Sequence, residues 1–440
     1  MINRKRRHVL VSPLLWALVL ALCPVLWGSA RATDFTFPMH DRRAIPLGEV
    51  EISGNTHTAD SVILRILGFH TGQMISRQDV DEAWDRLEDC GYFRTVDVNL
   101  DDSGDDAVLE VVVEEDLQTF YGPVIRYDRR HKYLLGAYLE QRNFRGHGET
   151  LRLEAAALYA QQANLVWDRP WFLGRTGLSA RLEAGFRQGD FVYRPTRFRR
   201  WDATASLRHQ WRTFFVSAGM TYGRFQQRDG YTWPAPWRGS VPAAPDEYLP
   251  AATQTHWVFT GAVGLDSRSN PHYPRRGVYL EGRLRSWTSD DFDSYLESTL
   301  DGRLFVPLPW MHHILALHAW GRSTDGPAQL DNRLYFGGPE TVRGEPYALR
   351  EGDEGYLLSA EYRIPLFLMP ISPQGELVGV GIHLFADAGD AWYDGADPGH
   401  ALQSAGAGLH LNLDTLQLRF EAARTREGHW GFEFMDRFNF

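Results

Sequence analysis

From residue 120 onward the chain keeps a two-residue period. Apolar and polar side chains alternate in segment after segment, with turn residues between them. The pattern runs to the C-terminus, where Trp430, Phe432, Phe434, Phe438 and Phe440 take one parity and His429, Glu433, Arg437 and Asn439 the other, with Asp436 breaking the aromatic row. Successive strand side chains point to opposite faces, so each segment reads as a strand with one apolar and one polar face. Sixteen segments begin near Phe120, Lys132, Glu149, Asn164, Leu178, Arg199, Thr213, Thr253, Val278, Phe292, His313, Gly355, Glu376, Ala401, Leu416 and His429. Connections after even-numbered segments are mostly short (Leu173 to Gly177, Trp211-Arg212, Leu413 to Thr415). Several after odd-numbered ones are long, notably Gln226 to Ala252 and Arg322 to Glu354. Parity separates charge from apolar surface: Leu418, Phe420 and Ala422 oppose Gln417, Arg419 and Glu421, and Leu280 and Leu284 oppose Glu281, Arg283 and Arg285. A charge facing lipid at mid-membrane costs roughly 2–4 kcal/mol, which accounts for that separation. Two soluble sandwiches would share the alternation but not the loop asymmetry. The expectation is an all-β transmembrane barrel of about 16 antiparallel strands over residues 117–440.

Residues 45–116 change period. Glu49 to Ser53 alternate as a short strand and Gly54-Asn55 turns. Val62, Ile63, Ile66 and Leu67 form an apolar stripe at helical spacing. Ser76, with Asp79 three positions on, opens a second helix whose stripe is Val80, Ala83, Trp84 and Leu87, and Gly91 closes it. Strands follow at Thr95–Leu100 and Val108–Glu114. The acidic run Asp101 to Asp106 between them lacks EF-hand spacing and reads as a solvated hairpin turn. The order is β-α-α-β-β: one small α+β domain with a three-stranded sheet.

Ahead of it, Arg4, Lys5, Arg6 and Arg7 precede an apolar stretch from Val9 to Cys23, and Ala30-Arg31-Ala32 supplies a small-x-small cleavage pattern. Residues 1–32 read as an export signal peptide and 33–44 as a linker. Beyond residue 32 no apolar run reaches 18 residues, so no transmembrane helix is expected. The mean hydropathy of -0.36 suits a barrel, half of whose strand surface faces water. A net charge of -10 argues against nucleic acid. Cys90 is left alone after removal of Cys23, so it has no disulfide partner and is expected to pack in the core.

The long segment from Arg322 to Glu354 carries Phe336-Gly337-Gly338-Pro339-Glu340-Thr341-Val342-Arg343-Gly344-Glu345. With Val50 to Asn55, Gly91 to Val96 and the β-α-α-β-β order, the N-terminal domain resembles a POTRA (polypeptide-transport-associated) domain. Around Val342-Arg343-Gly344 the chain resembles the BamA/TamA outer-membrane assembly superfamily, the bacterial surface antigen family. Asn143 to Gly148, Asp168 to Trp171 and Asp266 to Pro271 resemble turns of that family more loosely. The resemblance implies that the loop between strands eleven and twelve folds into the lumen and that Arg343 meets acids on the next two strands. Those acids are Glu361, in Ala360-Glu361-Tyr362-Arg363, and Asp387, in Phe385-Ala386-Asp387-Ala388-Gly389. Parity agrees, placing Glu361, Arg363, His383 and Asp387 inward opposite Leu358, Tyr362, Val380 and Leu384. Gly337 and Gly338 fit the tight backbone of the loop. Glu345 departs from the family, which favours an aromatic there; Tyr347 is the candidate to take that place.

The resemblance implies insertion or translocation of polypeptides by opening the seam between first and last strands. The first strand contains Gly122-Pro123, and Pro123 has no amide for a ladder. That pair, with Phe438 and Phe440 on the last strand, marks a weak seam able to template a client strand; the pair otherwise simply ends the linker. The POTRA sheet edge offers a second peptide-binding edge, or the domain is a spacer. The implied function is an outer-membrane protein assembly or insertion factor, or polypeptide translocator, with a passive or dedicated secretion channel as the alternative. An enzyme is not expected: there is no catalytic constellation, His312-His313 fits no metal or triad spacing, and no cofactor or metal is called for. Expected partners are unfolded outer-membrane or exported polypeptides, the lipid bilayer, and periplasmic chaperones or accessory proteins at the POTRA domain. The expected location is a Gram-negative outer membrane with the POTRA domain in the periplasm.

Overall fold

A computed structural model describes residues 44–435 apart from 105, 129–131, 159, 192–195, 229–252, 271–272, 310–311, 347–348, 371–376, 394–399 and 414–415. The expected signal peptide, most of the linker, much of the Gln226 to Ala252 loop, Tyr347, Phe438 and Phe440 therefore lie outside the described residues.

The N-terminal domain runs β1 (Ile45–Ser53), α1 (Asp60–Leu67), β2 (Met74–Ile75), α2 (Arg77–Asp89), β3 (Phe93–Asp101) and β4 (Ala107–Glu115). The sheet has four strands in the order β2-β1-β4-β3, not three. The extra strand pairs Met74 and Ile75 with Pro46 and Ile45. Two residues are too few to display an alternation, which is why the sequence hid it. At the start of α2 the Ser76 amide donates to Asp79 Oδ2 (2.8 Å) and the Asp79 amide to Ser76 Oγ (3.3 Å), the reciprocal cap expected from the spacing. The helices cover one sheet face with Ile63, Leu67, Ala83 and Leu87 against Leu47, Leu109 and Val111, all buried. Cys90 packs against this core and its thiol meets the Leu87 carbonyl at 3.0 Å.

The rest forms one sixteen-stranded antiparallel sheet. Its strands are β5 (Thr119–Asp128), β6 (Lys132–Phe144), β7 (Glu149–Leu158), β8 (Gln161–Arg169), β9 (Leu178–Phe191), β10 (Thr196–Trp211), β11 (Phe214–Arg228) and β12 (Thr253–Asp266). They continue through β13 (Gly277–Ser289), β14 (Tyr295–Pro307), β15 (Ile314–Thr324), β18 (Glu354–Pro370), β19 (Leu377–Trp392), β20 (Leu402–Leu413), β21 (Leu416–Thr425) and β22 (Trp430–Met435). No strand start departs by more than three residues from the position expected from the alternation. Between β15 and β18 the long loop forms a hairpin of its own, β16 (Leu334–Phe336) with β17 (Arg350–Gly352).

Outward positions are large and apolar: Leu182, Leu207, Phe259, Leu284, Leu384, Phe420 and Phe432 all remain exposed. A continuous apolar belt of this kind is stable against lipid, not water. The sheet ends at β5 and β22, which lie side by side. Among the described residues no ladder pairing joins them. Gly122 and Pro123 sit inside β5, opposite Tyr138 and Ala137, not ahead of it.

The N-terminal domain is docked on the barrel. The Ala59 amide donates to the Gly146 carbonyl (3.0 Å), Asn143 Nδ2 to Thr58 Oγ1 (2.8 Å), and Tyr92 OH to the Gly148 carbonyl (3.2 Å). Trp171, from the turn after β8, packs on the domain's core. The turns after β6 and β8 therefore lie on the domain side. By alternation the β12–β13 turn lies there too, and the β15–β18 loop enters from the far side.

Candidate functional site

The interior is divided. Inward arginines on β6, β7 and β9 keep much of their surface (Arg142 37%, Arg152 41%, Arg181 51% of the side chain), whereas Arg363 on β18 and Arg419 on β21 have none. The difference is the β15–β18 loop, which folds into the lumen and fills the side lined by β18–β21. It is anchored twice. Near its start Asn332 Nδ2 donates to Glu297 Oε2 (2.8 Å) and Tyr295 OH (3.0 Å) on β14, while Arg333 ties the two arms of the loop together through Glu351 Oε1 (2.7 Å). At its tip stands Arg343.

Arg343 is wholly buried. Its Nε and Nη2 bind the two Asp387 oxygens at 2.7 and 2.8 Å, a fork-to-fork pair. Nη1 reaches Glu361 Oε2 and Glu421 Oε1, both at 3.1 Å, and Nη2 also reaches Ser359 Oγ at 3.2 Å. The guanidinium carbon lies 3.6 Å from the Phe385 ring centroid, a stacking position for a cation. Arg419 Nη2 bridges Glu361 (2.6 Å) and Glu421 (2.7 Å), and Arg363 Nε takes the other Glu361 oxygen at 2.7 Å. Three guanidiniums thus meet three carboxylates in a water-excluded site, and only such pairing makes their burial tolerable. Strand register brings them together: Ser359 stands opposite Asp387, and Glu361 opposite Phe385.

Beside Arg343, Val342 is buried against Phe336, Leu357, Ala391 and Leu402. Gly344 has φ +84° and a Cβ there would lie 2.6 Å from Ala423 Cβ, so the tip is closed to other residues. Its amide donates to Glu433 Oε1 on β22 at 3.0 Å. The loop tip thereby touches the last strand. The Gly337 amide donates to Thr341 Oγ1 (2.8 Å), shaping the approach to the tip, and Gly338 also has positive φ (+94°). At Gly389 a Cβ would meet the Tyr356 carbonyl oxygen at 2.7 Å and Phe336 Cε1 at 2.8 Å, so this glycine admits the Phe336 ring. Glu345 is buried beside Glu427, and burial followed by that neighbouring carboxylate pushes its pKa up to about 7.

Of the expected residues, Val342, Arg343, Gly344, Glu361, Asp387, Phe385, Gly337, Gly338 and Gly389 gather at or beside this cluster. Gly122 and Pro123 lie apart on β5. Ser359, Arg363, Arg419, Glu421 and Glu433 are additional members. Arg419 and Glu421 carried the inward parity of β21, but so did charges on other strands, and nothing singled them out. One atom each from Glu361, His383 and Glu421 lies within 4.8 Å of the others, a spacing compatible with a metal. The same carboxylates already hold guanidiniums at 2.6–3.1 Å, so a metal ion would have to displace an arginine.

Fold and site together define a barrel that crosses an outer membrane, carries a docked α+β domain at one mouth, and holds an arginine-tipped loop inside. The Omp85 superfamily domain matches residues 143–440, and a POTRA model, described as surface antigen variable number repeat, matches residues 45–116. The chain belongs to the Omp85 superfamily, whose members are non-enzymatic proteins of polypeptide insertion or translocation. Among curated proteins it is 25% identical over 345 residues to the Sorting and assembly machinery component 50 homolog B of Xenopus laevis, covering 73% of this chain and 69% of that one. The Xenopus tropicalis homolog is 24% identical over the same length. Among solved structures, BamA from Haemophilus ducreyi lacking POTRA domains 1-3 superposes with a TM-score of 0.67 at 18% identity, covering 89% of this chain and 84% of that one. CdiB from Acinetobacter baumannii superposes at 0.59 with 12% identity, covering 89% and 73%.

Proposed function

We propose that this protein inserts or exports unfolded polypeptides at the outer membrane by opening the seam between β5 and β22, with the Arg343 lock holding the resting state. One observation carries the reading: β22 is paired to the sheet on one side only among the described residues, and the inward loop grips it through Gly344 and Glu433. An unpaired strand edge is a template for an incoming strand. Releasing the loop would free β22, and a client segment would pair where β5 and β22 part. Pro123 reinforces the weakness of the β5 edge, because it has no N–H to donate. The POTRA sheet adds a second open edge at β3, where chaperone-delivered clients or accessory proteins would pair. On this reading the POTRA domain lies in the periplasm of a Gram-negative cell, and the β15–β18 loop enters from outside.

Disulfides between cysteines placed on β5 and β22 test it. Locked protein should lose client assembly in reconstituted vesicles and regain it on reduction. Full activity while locked would sink lateral opening. A second reading, a dedicated secretion channel, draws on the hydrated side of the lumen along β6–β9, where Arg142, Arg152 and Arg181 stay half-exposed. It expects bilayer conductance that persists in the locked protein. CdiB is among the folds this chain resembles, at 11–12% identity.

A further inference from the structure

A chain of polar side chains leaves the Arg343 cluster toward the domain side of the barrel. The β12–β13 turn folds inward far enough to bury Tyr273 (1% exposed) beside Ile314 and Leu368, with the Arg363 guanidinium 5.7 Å from its ring centroid. The Tyr273 hydroxyl lies 3.3 Å from His410 Nε2. His410 Nδ1 lies 3.2 Å from His383 Nδ1, and His383 Nε2 lies 2.8 Å from Glu421 Oε1. The same Glu421 oxygen takes Arg343 Nη1 at 3.1 Å. Four contacts therefore connect a turn on one face of the barrel to a loop entering from the other.

Hydrogen-bond chemistry fixes the direction of this chain. Glu421, held by Arg419 and Arg343, is a carboxylate and can only accept, so His383 Nε2 carries a hydrogen. Arg343, Arg363, Arg419, Glu361, Asp387 and Glu421 stand around the imidazoles, with Glu433 one contact further out at the Gly344 amide. Both imidazoles are buried and face each other through Nδ1, so a charge on either would be desolvated and one of the two nitrogens must accept: His383 is neutral and its Nδ1 accepts. His410 Nδ1 must then donate, which leaves His410 Nε2 as acceptor for the Tyr273 hydroxyl. Each bond dictates the next.

We infer that Tyr273 is a positioning residue of the loop lock, acting through His410 and His383 on the Glu421 carboxylate, so that the domain-side turn and the far-side loop are one coupled element. Movement of the turn withdraws the Tyr273 hydroxyl from His410 Nε2, and with it the bond that favours the Nδ1–H tautomer. His410 can then turn its hydrogen away from His383, which frees the His383 tautomer and weakens one of the bonds that aim Glu421 at Arg343. A client or accessory protein that displaces the turn would thereby loosen the loop without touching it. This rests on the reading of Arg343 as a lock, but its first test does not involve clients at all.

Folded, bilayer-embedded protein carrying 15N-histidine should show His383 as the neutral Nε2–H tautomer and His410 as the neutral Nδ1–H tautomer. Opposite tautomers, or a protonated pair at neutral pH, would overturn the inference without any mutation. Tyr273→Phe keeps the ring in place and removes the hydroxyl. It should mix the His410 tautomers and speed maleimide labelling of Val342→Cys in a Cys90→Ser background by about fivefold, the factor one neutral hydrogen bond commonly supplies. Unchanged His410 signals and unchanged labelling would refute the coupling. Loss of client assembly in a separate assay bears on the seam and leaves both readouts standing.

Discussion

The Arg343→Ala substitution discriminates best between a lock and an incidental ion pair. It removes the two bonds to Asp387 (2.7 and 2.8 Å) and one each to Glu361 and Glu421 (3.1 Å). The three acids do not suffer equally. Glu361 keeps Arg363 and Arg419, and Glu421 keeps Arg419 and His383. Asp387 keeps Ser359 Oγ and the backbone amide of residue 343 (3.2 Å), neither of them charged. An uncompensated buried charge of this kind costs about 3–5 kcal/mol. Expressed as an equilibrium, that shifts the ratio of docked to undocked loop by about two to three and a half powers of ten. The barrel should survive, because its sixteen-stranded ladder and the Asn332 anchor do not involve Arg343. Val342 is fully buried when the loop is docked, so Val342→Cys in a Cys90→Ser background reports undocking by its rate of maleimide labelling. The expected result is labelling at least tenfold faster with heat-modifiable migration retained. Removing the stranded acid as well, in Arg343→Ala/Asp387→Asn, should recover part of the loss, as coupled sites require. Labelling as slow as in the parent would refute the lock.

Three further outcomes follow from the same geometry. Glu345 has its folded pKa raised to about 7 from an ordinary 4.5, so the folded state binds more protons than the unfolded one between those values. Stability contributed by this site should fall as pH rises from about 4.5 to 7 and then level off; Glu345→Gln should flatten that slope in thermal melts, and an unchanged slope would reject the Glu345–Glu427 pairing. Glu115 is opposite in sign: burial would raise its pKa, but bonds from Thr56, Thr58 and His57 outweigh it and hold the carboxyl at about 2. Its contribution to the POTRA loop that docks on Gly146 should be complete above pH 4.5 and vanish as pH falls through 2, and Glu115→Gln should raise hydrogen exchange at Thr58 and Ala59 at neutral pH. Gly389→Ala should displace Phe336 and destabilise the loop by about 1–3 kcal/mol, read as faster Val342→Cys labelling; a silent substitution would show that the loop does not depend on this contact.

Strand positions were legible because membrane burial enforces one rule at every residue: a charge on the wrong parity is costly. That rule locates Glu361, Asp387, Arg419 and Glu421 on the inner wall but cannot rank them, since Glu281, Arg283 and Arg285 obey it equally. Choosing among inward charges requires register and the path of the loop. Arg343, Glu361 and Asp387 were reached through the family resemblance, and Glu421 was not. Tyr273 was invisible for another reason. It sits in a turn, where no periodicity operates, and meets His410 across 137 positions of sequence. The β2 strand failed on length alone.

The cluster's position relative to the seam is the most consequential feature of the fold. Its acids, Arg363 and Arg419 lie on β18, β19 and β21, and the loop tip that carries Arg343 extends one strand further to β22 through Gly344 and Glu433. At Gly431 a Cβ would lie 2.5 Å from Gly344 Cα, so the backbones meet with no side chain between them. Strand β22 is thus held along one edge by its ladder from Arg424↔Trp430 to Arg419↔Met435, and from within the lumen by a loop that itself depends on buried charges. Ladder bonds are many and individually modest, whereas loss of Arg343 strands the buried Asp387 without a cation. On the proposed reading, securing β22 through a loop that rests on one charge cluster would make its release abrupt, and the proposed Tyr273 coupling would open that release to control from the opposite face of the barrel.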